Sequence, residues 1–185
     1  MVVAITGASG AIFGIRLLQQ LQEFDVERHL IVSPWGARTI RHETEFSSAD
    51  VRQLAECVHK ISDLGATISS GSFVTRGMII APCSVKTLAS ISTGVTSDLI
   101  SRAADVTLKE RRRLVLMVRE SPLNEIHLDN MAKLARMGAS IVPPMMSFYL
   151  RPNSLEEMVD HIVTRALDQL GLHSEDAPRW GGILE

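Results

Sequence analysis

The segment Val2-Val3-Ala4-Ile5-Thr6-Gly7-Ala8-Ser9-Gly10 joins a short apolar run to a glycine-rich turn. The run is rich in β-branched residues, which is typical of a buried strand. An amphipathic pattern follows over residues 11–23, with apolar residues at intervals of three or four positions. The segment therefore predicts a strand, a tight turn and a helix, the unit from which parallel α/β sheets are built.

Four further apolar runs alternate with amphipathic segments along the rest of the chain. Together with residues 2–6, they predict strands at 29–33, 77–81, 114–118 and 140–142. Residues 125–137 predict a second helix, which ends before Gly138. Strands separated by helices favour a parallel sheet that is covered by helices on both faces.

The last helix is the best-marked element of the chain. Ser154 and Glu157 have the spacing of a capping box, and an apolar stripe runs from position 155 to position 170. Gly171 then predicts the end of the helix. We expect the polar residues 173–185 to form a C-terminal tail that docks onto another surface.

Composition limits the class of protein. The chain has 185 residues, of which 45% are hydrophobic, and its formal net charge is -2. That length fits a single domain, residues 1–185, with a substantial core. The balanced charge and the 4% of aromatic residues argue against a nucleic-acid or membrane-surface binder. Because no apolar run approaches the roughly 20 residues of a membrane span, we expect a soluble cytoplasmic protein.

The positions of cysteine and histidine predict neither a disulfide framework nor a metal site. The two cysteines, Cys57 and Cys83, and the six histidines show no metal-ligand spacing. Cys83 has no histidine near it in sequence, so we interpret it as a structural residue rather than a nucleophile. We therefore expect no metal and a reducing compartment.

Two strand-to-helix junctions carry residues that could hold a phosphate. One is the turn at residues 6–10, with Gly7, Ala8 and Ser9, and the other is the segment Ser84-Val85-Lys86-Thr87. Free backbone N–H groups and hydroxyls at helix N-termini bind anions. The glycine spacing differs from the dinucleotide fingerprint, and either turn could instead only pack or cap its helix. We favour phosphate or nucleotide binding at the carboxyl edge of the sheet.

A cation and a carboxylate follow the buried run at 114–118. Arg119 and Glu120 lie where a crevice should open in such a sheet, so they could hold a phosphate and move a proton. Arg102 and Lys109, earlier in the chain, add cations to this set. We interpret residues 110–113 as a solvated surface.

Two isolated residues complete the candidates. Tyr149, the only tyrosine, lies in a turn after the fifth predicted strand, where packing is its more common role. Arg165 lies within the amphipathic pattern of the last helix, so its guanidinium either extends to solvent or reaches an anion.

Taken together, these motifs resemble the UbiX-type flavin prenyltransferase family, formerly described as phenylacrylic or aromatic acid decarboxylases. The resemblance covers nearly the whole chain. It rests on ordered segments at 6–10, 70–73, 82–88, 102–106, 108–111, 119–123, 126–131, 148–149 and 178–181. It departs at Asp63-Leu64-Gly65, near which some family members carry a tryptophan.

The resemblance implies a flavodoxin-like or Rossmann-like three-layer α/β/α sandwich. It also implies a large homo-oligomer, a dodecamer, with active sites between subunits. FMN would be bound by Gly7, Ala8, Ser9, Ser33, Ser84, Val85, Lys86, Thr87 and Arg102. The phosphate of dimethylallyl monophosphate would be bound by Lys109, Arg119, Tyr149 and Arg165, and the catalytic residues would be Glu120, Ser9 and Glu43.

The implied reaction joins the dimethylallyl group to N5 and C6 of reduced FMN, releases phosphate and needs no metal. The product, prenylated FMN, would serve a UbiD-type decarboxylase. Cations at Lys109, Arg119 and Arg165 would stabilise the departing phosphate. Glu120 could relay the proton that is lost during ring closure.

Three other functions stay open: an FMN-dependent cysteine decarboxylase, an aromatic acid decarboxylase and a non-catalytic FMN carrier. Cysteine decarboxylases of this kind typically have a Pro-x-Met-Asn motif, whereas this chain reads Pro143-Pro144-Met145-Met146. The sequence offers no distinct machinery for aromatic decarboxylation. A carrier would need neither the pair Arg119 and Glu120 nor the anion-binding set.

Overall fold

The computed structural model describes residues 1–175 and 177–182. The strands are β1 (Val2–Ile5), β2 (His29–Val32), β3 (Cys57–His59), β4 (Gly77–Cys83), β5 (Arg113–Val118) and β6 (Ser140–Ile141). The helices are α1 (Ala11–Gln20), α2 (Pro34–Glu43), α3 (Ser48–Gln53), α4 (Val85–Thr93), α5 (Leu99–Lys109), α6 (Glu125–Arg136) and α7 (Leu155–Gln169). No helix among these described residues is long and apolar enough to cross a membrane.

The strands form one parallel sheet in the order β3-β2-β1-β4-β5-β6. The chain runs outward from β1 to β3, returns to the other side of β1 and then runs outward to β6. The strand order therefore reverses between β1 and β4. In such sheets a crevice opens at the carboxyl ends of the strands that flank the reversal. The fold thus places a candidate site at the ends of β1 and β4.

Helices cover both faces of the sheet and enclose two separate cores. Val3 and Ile5 point into the core shared with α1, α2, α3 and α7. Val2 and Ala4 point into the core shared with α4, α5 and α6. This alternation along a strand that is buried on both sides is typical of a parallel α/β sheet. The predicted three-layer α/β/α sandwich is confirmed.

The sequence does not predict β3. This strand has only three residues, lies at the edge of the sheet and is only partly buried. It lacks the apolar run that marks the other strands. Its extended conformation is stabilised by pairing with β2 rather than by its own sequence. Strand β4 is also longer than predicted, because it continues from Ala81 to Cys83 with every residue buried.

The ends of α7 follow the predicted signals in part. The Ser154 hydroxyl accepts a hydrogen bond from the Glu157 N–H at 3.1 Å, and Gly171 has the left-handed backbone (φ 72°) of a helix stop. The predicted capping box is wrong in its second half. The Glu157 carboxylate accepts from the Asn153 N–H at 2.7 Å, one residue before the expected donor.

We predict that Gly14→Ala destabilises the fold. A Cβ at Gly14 would lie 2.4 Å from the carbonyl oxygen of Ala81 and 2.7 Å from Cγ1 of Ile5. This overlap with backbone outweighs the roughly 1 kcal/mol by which alanine is favoured over glycine inside a helix. Urea denaturation should show a loss of about 1 to 3 kcal/mol in the free energy of unfolding.

Gly65→Ala is the matched control. The nearest atom to a Cβ at Gly65 is a carboxylate oxygen of Asp63, at an ordinary contact distance of 3.5 Å. This variant should change the free energy of unfolding by less than about 0.5 kcal/mol. A Gly14→Ala protein as stable as the wild type would contradict the close packing of α1 on β4.

Candidate functional site

A cleft of about 430 Å³ opens at the carboxyl ends of β1 and β4. Its walls are Thr6, Gly7, Ser33, Pro34, Trp35, Ile61, Ser84, Lys86, Thr87, Asp98 and Ile100. The volume lies within the range of small-molecule sites, roughly 300 to 1,000 Å³. Five of the residues predicted to bind FMN line this one cleft. Ala8, Ser9 and Val85 belong to the same two turns but are not among the lining residues.

Thr6 ties the two sides of the cleft together. Its hydroxyl donates to the Pro82 carbonyl at 2.7 Å and accepts from the Ser84 N–H at 2.9 Å. Thr6 is 1% exposed, so these hydrogen bonds are shielded from water. One side chain therefore joins the end of β1 to the end of β4 and fixes the residue that caps α4.

Three helices begin at the cleft, each behind a capping side chain. Ser33 caps α2 through the Gly36 N–H at 2.9 Å, Ser84 caps α4, and Asp98 caps α5. Helix N-termini carry partial positive charge and N–H groups without intrahelical partners. The predicted cap at Ser84 is confirmed by its bond from the Thr87 N–H at 3.3 Å. The cleft therefore suits an anionic ligand.

The glycine-rich turn differs from the sequence prediction. The carboxylate of Glu43, the last residue of α2, accepts the N–H groups of Gly10 at 2.8 Å and Ala11 at 3.1 Å. These N–H groups at the start of α1 were predicted to face a phosphate. In the structure they donate instead to a carboxylate of the chain itself. The positive end of α1 favours that carboxylate. Gly10 cannot cap the helix with a side chain, so Glu43 caps it from a distant part of the sequence.

The protonation state of Glu43 follows from these contacts. Partial burial acts to raise its pKa, but hydrogen bonds from Ser9, Gly10 and Ala11 and the nearby charge of Arg119 outweigh burial. The pKa of Glu43 is therefore below its ordinary value of 4.5, and the carboxylate is ionised at neutral pH. The structure thus brings together Ser9, Glu43 and Arg119, three predicted site residues that are far apart in sequence.

Arg119 and Glu120 directly follow β5 at the same edge of the sheet. The Arg119 N–H donates to the Cys83 carbonyl at 3.1 Å, which continues the β4–β5 pairing beyond the end of β5. Both side chains are exposed, and the Glu120 carboxylate accepts from the Ser121 N–H at 3.1 Å. A cation and an acid therefore follow one another directly after β5, at the carboxyl edge of the sheet that we call the rim, and these are residue types that bind an anion and move a proton.

Cys83 lies beside the cleft but is unsuited to nucleophilic chemistry. It is fully buried, and this burial raises the pKa of its thiol to about 12. The thiol therefore stays protonated at neutral pH, whereas the thiolate is the reactive form. The geometry supports the structural interpretation of Cys83.

Two predicted cations lie on α5 outside the cleft. The Arg102 guanidinium donates to the Ser69 carbonyl at 3.2 Å and to the Asp105 carboxylate at 3.1 Å. Lys109, the last residue of α5, pairs with Glu110. Because α5 has 11 residues, Lys109 lies about 16 Å along the helix from the end that borders the cleft.

Tyr149 and Arg165 lie beside α7. The Tyr149 hydroxyl is 3.5 Å from Nε2 of His161, and its ring meets that of Trp180 edge-on at 5.3 Å. Arg165 and Arg179 both pair with the carboxylate of Asp168. Part of the predicted tail therefore packs against Tyr149 and Asp168, whereas residues 176 and 183–185 lie outside the described residues.

The predicted phosphate-binding set is thus divided over three places. Lys109 is on α5, Arg119 is at the rim, and Tyr149 and Arg165 are beside α7. Helices α5 and α7 pack on opposite faces of the sheet, so the thickness of the sheet separates Lys109 from Arg165. The four side chains therefore do not meet at one point within this chain.

Sequence reasoning missed Trp35. It follows Ser33 and Pro34 at the start of α2, is 66% exposed, and carries the Arg38 guanidinium 4.7 Å from its ring centre. A Cβ at Gly7 would lie 2.4 Å from Cβ of Trp35, so only glycine fits there. A tryptophan directly after a predicted strand, where a crevice should open, was the available signal. Near residues 63–65, where the sequence departs from the family pattern, Ile61 rather than Leu64 lines the cleft.

We predict that Glu43→Gln weakens the fold in a pH-dependent way. At neutral pH the free energy of unfolding should fall by about 0.5 to 1 kcal/mol, since solvent screens this partly exposed carboxylate. The pKa of Glu43 is lower in the folded protein than its ordinary 4.5. Its stabilisation is therefore complete above pH 4.5 and is lost as the pH falls through the lowered value. Urea unfolding should show the gap between wild type and variant narrowing over that range.

Glu45→Gln is the control, because Glu45 is also exposed and lies only two residues later. Its free energy of unfolding should stay within about 0.5 kcal/mol of wild type, both at neutral pH and at the acidic pH where Glu43 is protonated. A pH-independent gap for Glu43→Gln would show that the charge of Glu43 does not stabilise α1.

Comparison with known proteins places the chain in a family. Residues 1–167 match the model of the family described as Flavoprotein. The chain is 60% identical over 183 residues to the probable UbiX-like flavin prenyltransferase of Bacillus subtilis (strain 168). That alignment covers 99% of this chain and 90% of the relative.

Two solved structures are similar to this chain almost throughout. The crystal structure of AnUbiX (PadA1) in complex with FMN and dimethylallyl pyrophosphate superposes with a TM-score of 0.97 at 52% identity, covering 99% of this chain and 97% of that chain. The dodecameric FMN-dependent UbiX-like decarboxylase from Escherichia coli O157:H7 superposes with a TM-score of 0.96 at 53% identity, covering 98% of each chain. The chain belongs to the flavoprotein family and, within it, to the UbiX-like flavin prenyltransferases, which confirms the predicted family and the predicted class of enzyme.

Proposed function

We propose that this chain joins the dimethylallyl group of dimethylallyl monophosphate to N5 and C6 of reduced FMN. The observation that carries the proposal is the cleft at the ends of β1 and β4, where the helices α2, α4 and α5 begin. Glu43, beside the start of α1, and Arg119, after β5, lie close to each other at the same edge of the sheet. The solved complex of AnUbiX with FMN and dimethylallyl pyrophosphate supports the class of both ligands. The prenylated FMN would then serve a UbiD-type decarboxylase.

The residues of the cleft fit FMN. The N-termini of α2 and α4 carry backbone N–H groups and the hydroxyls of Ser33, Ser84 and Thr87. These groups can bind a phosphate and the polar edge of the flavin ring. Gly7 lets the turn pack closely against Trp35, which forms another wall of the cleft. Reduced FMN supplies the electron-rich N5 and C6 atoms to which the allyl group becomes bonded. The chain holds and orients that ring against the allyl donor.

Departure of the phosphate requires cations that a single chain does not gather. Arg119 at the rim would bind the phosphate from the chain that holds FMN, while Lys109, Tyr149 and Arg165 would come from neighbouring subunits. Preorganised cations stabilise the negative charge that grows on the leaving group. The dodecameric E. coli relative supports an assembly of this kind. We therefore propose a dodecamer in which neighbouring subunits complete each site.

Asp168 positions the cation that α7 would contribute. Its side chain is only 6% exposed and pairs with both Arg165 and Arg179. Burial acts to raise the pKa of Asp168, but hydrogen bonds from Arg179 and His173 and the charge of Arg165 lower it to about 2. The carboxylate is therefore always ionised near neutral pH and holds Arg165 in one orientation. Other N–H groups of that guanidinium stay available to an incoming phosphate.

The two glutamates at the rim would have different roles. Glu43 is ionised and fixed by α1, so it would stabilise the positive charge that grows on the allyl group as phosphate leaves. The nearby face of Trp35 would add to this stabilisation. Glu120 is exposed and lies next to Arg119, so its carboxylate would accept the proton released on ring closure.

The cellular setting is part of the proposal. Both cysteines, Cys57 and Cys83, are free thiols, and free thiols persist in a reducing compartment. We therefore assign the transfer to the cytoplasm, and residues 1–185 to one flavin-binding domain with a docking tail at 173–185.

The direct test is anaerobic incubation of the protein with reduced FMN and dimethylallyl monophosphate, followed by mass spectrometry of the flavin. The flavin should gain one prenyl unit. A parallel incubation with dimethylallyl diphosphate establishes which donor is preferred. An unchanged flavin with both donors, or release of CO₂ from an aromatic acid with FMN alone, would contradict the proposal.

We predict that Glu120→Gln slows prenyl transfer by about 10² to 10⁴-fold, because the proton then has no positioned acceptor. FMN binding, measured by the change in flavin absorbance, should be retained. Glu125→Gln is the control, since Glu125 is an exposed acid at the start of α6. Full activity of Glu120→Gln would remove its proposed role as a base.

Mixed oligomers test whether neighbours complete the site. Lys109→Ala and Arg165→Ala chains should each be nearly inactive when expressed alone. Co-expression should restore part of the activity. Some sites then receive Lys109 from an Arg165→Ala subunit and Arg165 from a Lys109→Ala subunit. If one residue comes from each of two subunits, random mixing leaves about a quarter of the sites complete. Mixed oligomers as inactive as the single variants would show that one chain supplies both residues.

A further inference from the structure

A second cluster of polar side chains lies at the amino edge of the sheet, at the opposite end of the strands from the cleft. Its members are Glu27, His29 and Cys57. The Glu27 carboxylate lies 3.3 Å from Nε2 of His29 and 3.4 Å from Sγ of Cys57. One ligand atom from each residue lies within 4.8 Å of the other two. An oxygen, a nitrogen and a sulfur atom therefore lie close enough together to contact one ion.

The pairing of β2 with β3 creates this cluster. His29 and Cys57 are the first residues of their strands and are direct partners in the register. Glu27 lies two residues before β2. The positions 27, 29 and 57 match no sequence spacing of metal ligands, and this is why the sequence predicts no site there.

His59 supports the imidazole of His29 from behind. Its Nε2 lies 3.0 Å from Nδ1 of His29, and the two rings stack with their centres 5.3 Å apart. When His29 donates from Nδ1 to His59, the lone pair on its Nε2 faces Glu27 and Cys57. Metal-binding histidines usually have such a partner for the second ring nitrogen.

We propose that Glu27, His29 and Cys57 bind one divalent cation of the zinc class, with water as the fourth ligand. Zinc accepts carboxylate oxygen, imidazole nitrogen and thiolate sulfur together in a tetrahedral arrangement. The normal bond lengths of zinc to these atoms place neighbouring ligands about 3.4 Å apart. The two oxygens of Glu27 lie near that distance from the other ligands, Oε2 at 3.3 Å from His29 and Oε1 at 3.4 Å from Cys57, so the carboxylate must turn slightly to present one oxygen to the ion. On binding, Cys57 releases its thiol proton to solvent and coordinates as the thiolate.

Such an ion would connect the segment before β2 to the short edge strand β3. Strand β3 has three residues and reaches the sheet through its pairing with β2 alone. Coordination of one ion by His29 and Cys57, the first residues of β2 and β3, would therefore stabilise this edge by mass action. The cluster is at the other end of the strands from the cleft, so occupancy and prenyl transfer can be measured independently.

The test is calorimetric titration of the full protein, free of any affinity tag and stripped of metal, with zinc chloride. We expect one Zn²⁺ per chain and a rise in the melting temperature when zinc is present. Cobalt chloride should produce an absorption band from charge transfer between the Cys57 thiolate and Co²⁺. A wild-type protein that binds no zinc, or that shows no thiolate band with cobalt, would overturn the proposal.

Variants locate the site. Cys57→Ser should abolish the cobalt band and Glu27→Gln should weaken zinc binding, while both keep prenyl transfer and therefore the fold. His59→Phe should weaken zinc binding by about 10- to 100-fold, the effect typical of a residue that orients a ligand. Glu23→Gln is the control, since Glu23 is an acid in the same segment before β2. Unchanged affinity in Cys57→Ser and Glu27→Gln would place the zinc elsewhere and overturn the proposal.

Discussion

The buried hydroxyl of Thr6 is the contact on which the cleft depends. It is the donor to the Pro82 carbonyl and the acceptor for the Ser84 N–H, so it spans the point where the strand order reverses. Neighbouring strands diverge beyond this point, and a crevice results. Without the hydroxyl, the partly buried Ser84 N–H would lose its partner, at about 1 to 3 kcal/mol, and the Pro82 carbonyl would keep only the Thr6 N–H at 3.3 Å. The starts of α1 and α4 keep their separation because this bridge holds the strands that lead into them.

The charges of the helix ends then determine where charged side chains lie around the Thr6 hydroxyl. The positive end of α1 takes the Glu43 carboxylate, and Arg119 at the end of β5 lies close enough to lower the pKa of Glu43 further. The starts of α2 and α4 stay available for a ligand anion. The same edge of the sheet therefore offers two kinds of surface. One is already neutralised by the chain, and the other is left for a ligand.

Patterns that repeat locally were readable from the sequence, and contacts made across the fold were not. Five strands, the turn at 6–10 and the cap at Ser84 follow from apolar runs and hydroxyl positions within a few residues. The cap of α1 by Glu43 was not readable, because it joins positions 33 residues apart. Strand β3 was missed for a similar reason, since its order comes from β2 rather than from its own three residues. Family resemblance supplied the list of site residues, but only the sheet showed which of them one chain can bring together.

The separation of Lys109 from Arg165 by the sheet has a consequence for the life of a newly made chain. All walls of its cleft come from residues 6–100 of one chain, so on the proposed function an isolated chain would already retain a flavin. Its capacity for alkylation would arise later, when neighbours arrive with the missing cations. Dilution would then silence the enzyme without emptying it, and a cell would hold a reserve of loaded but inert subunits whenever the chain is scarce.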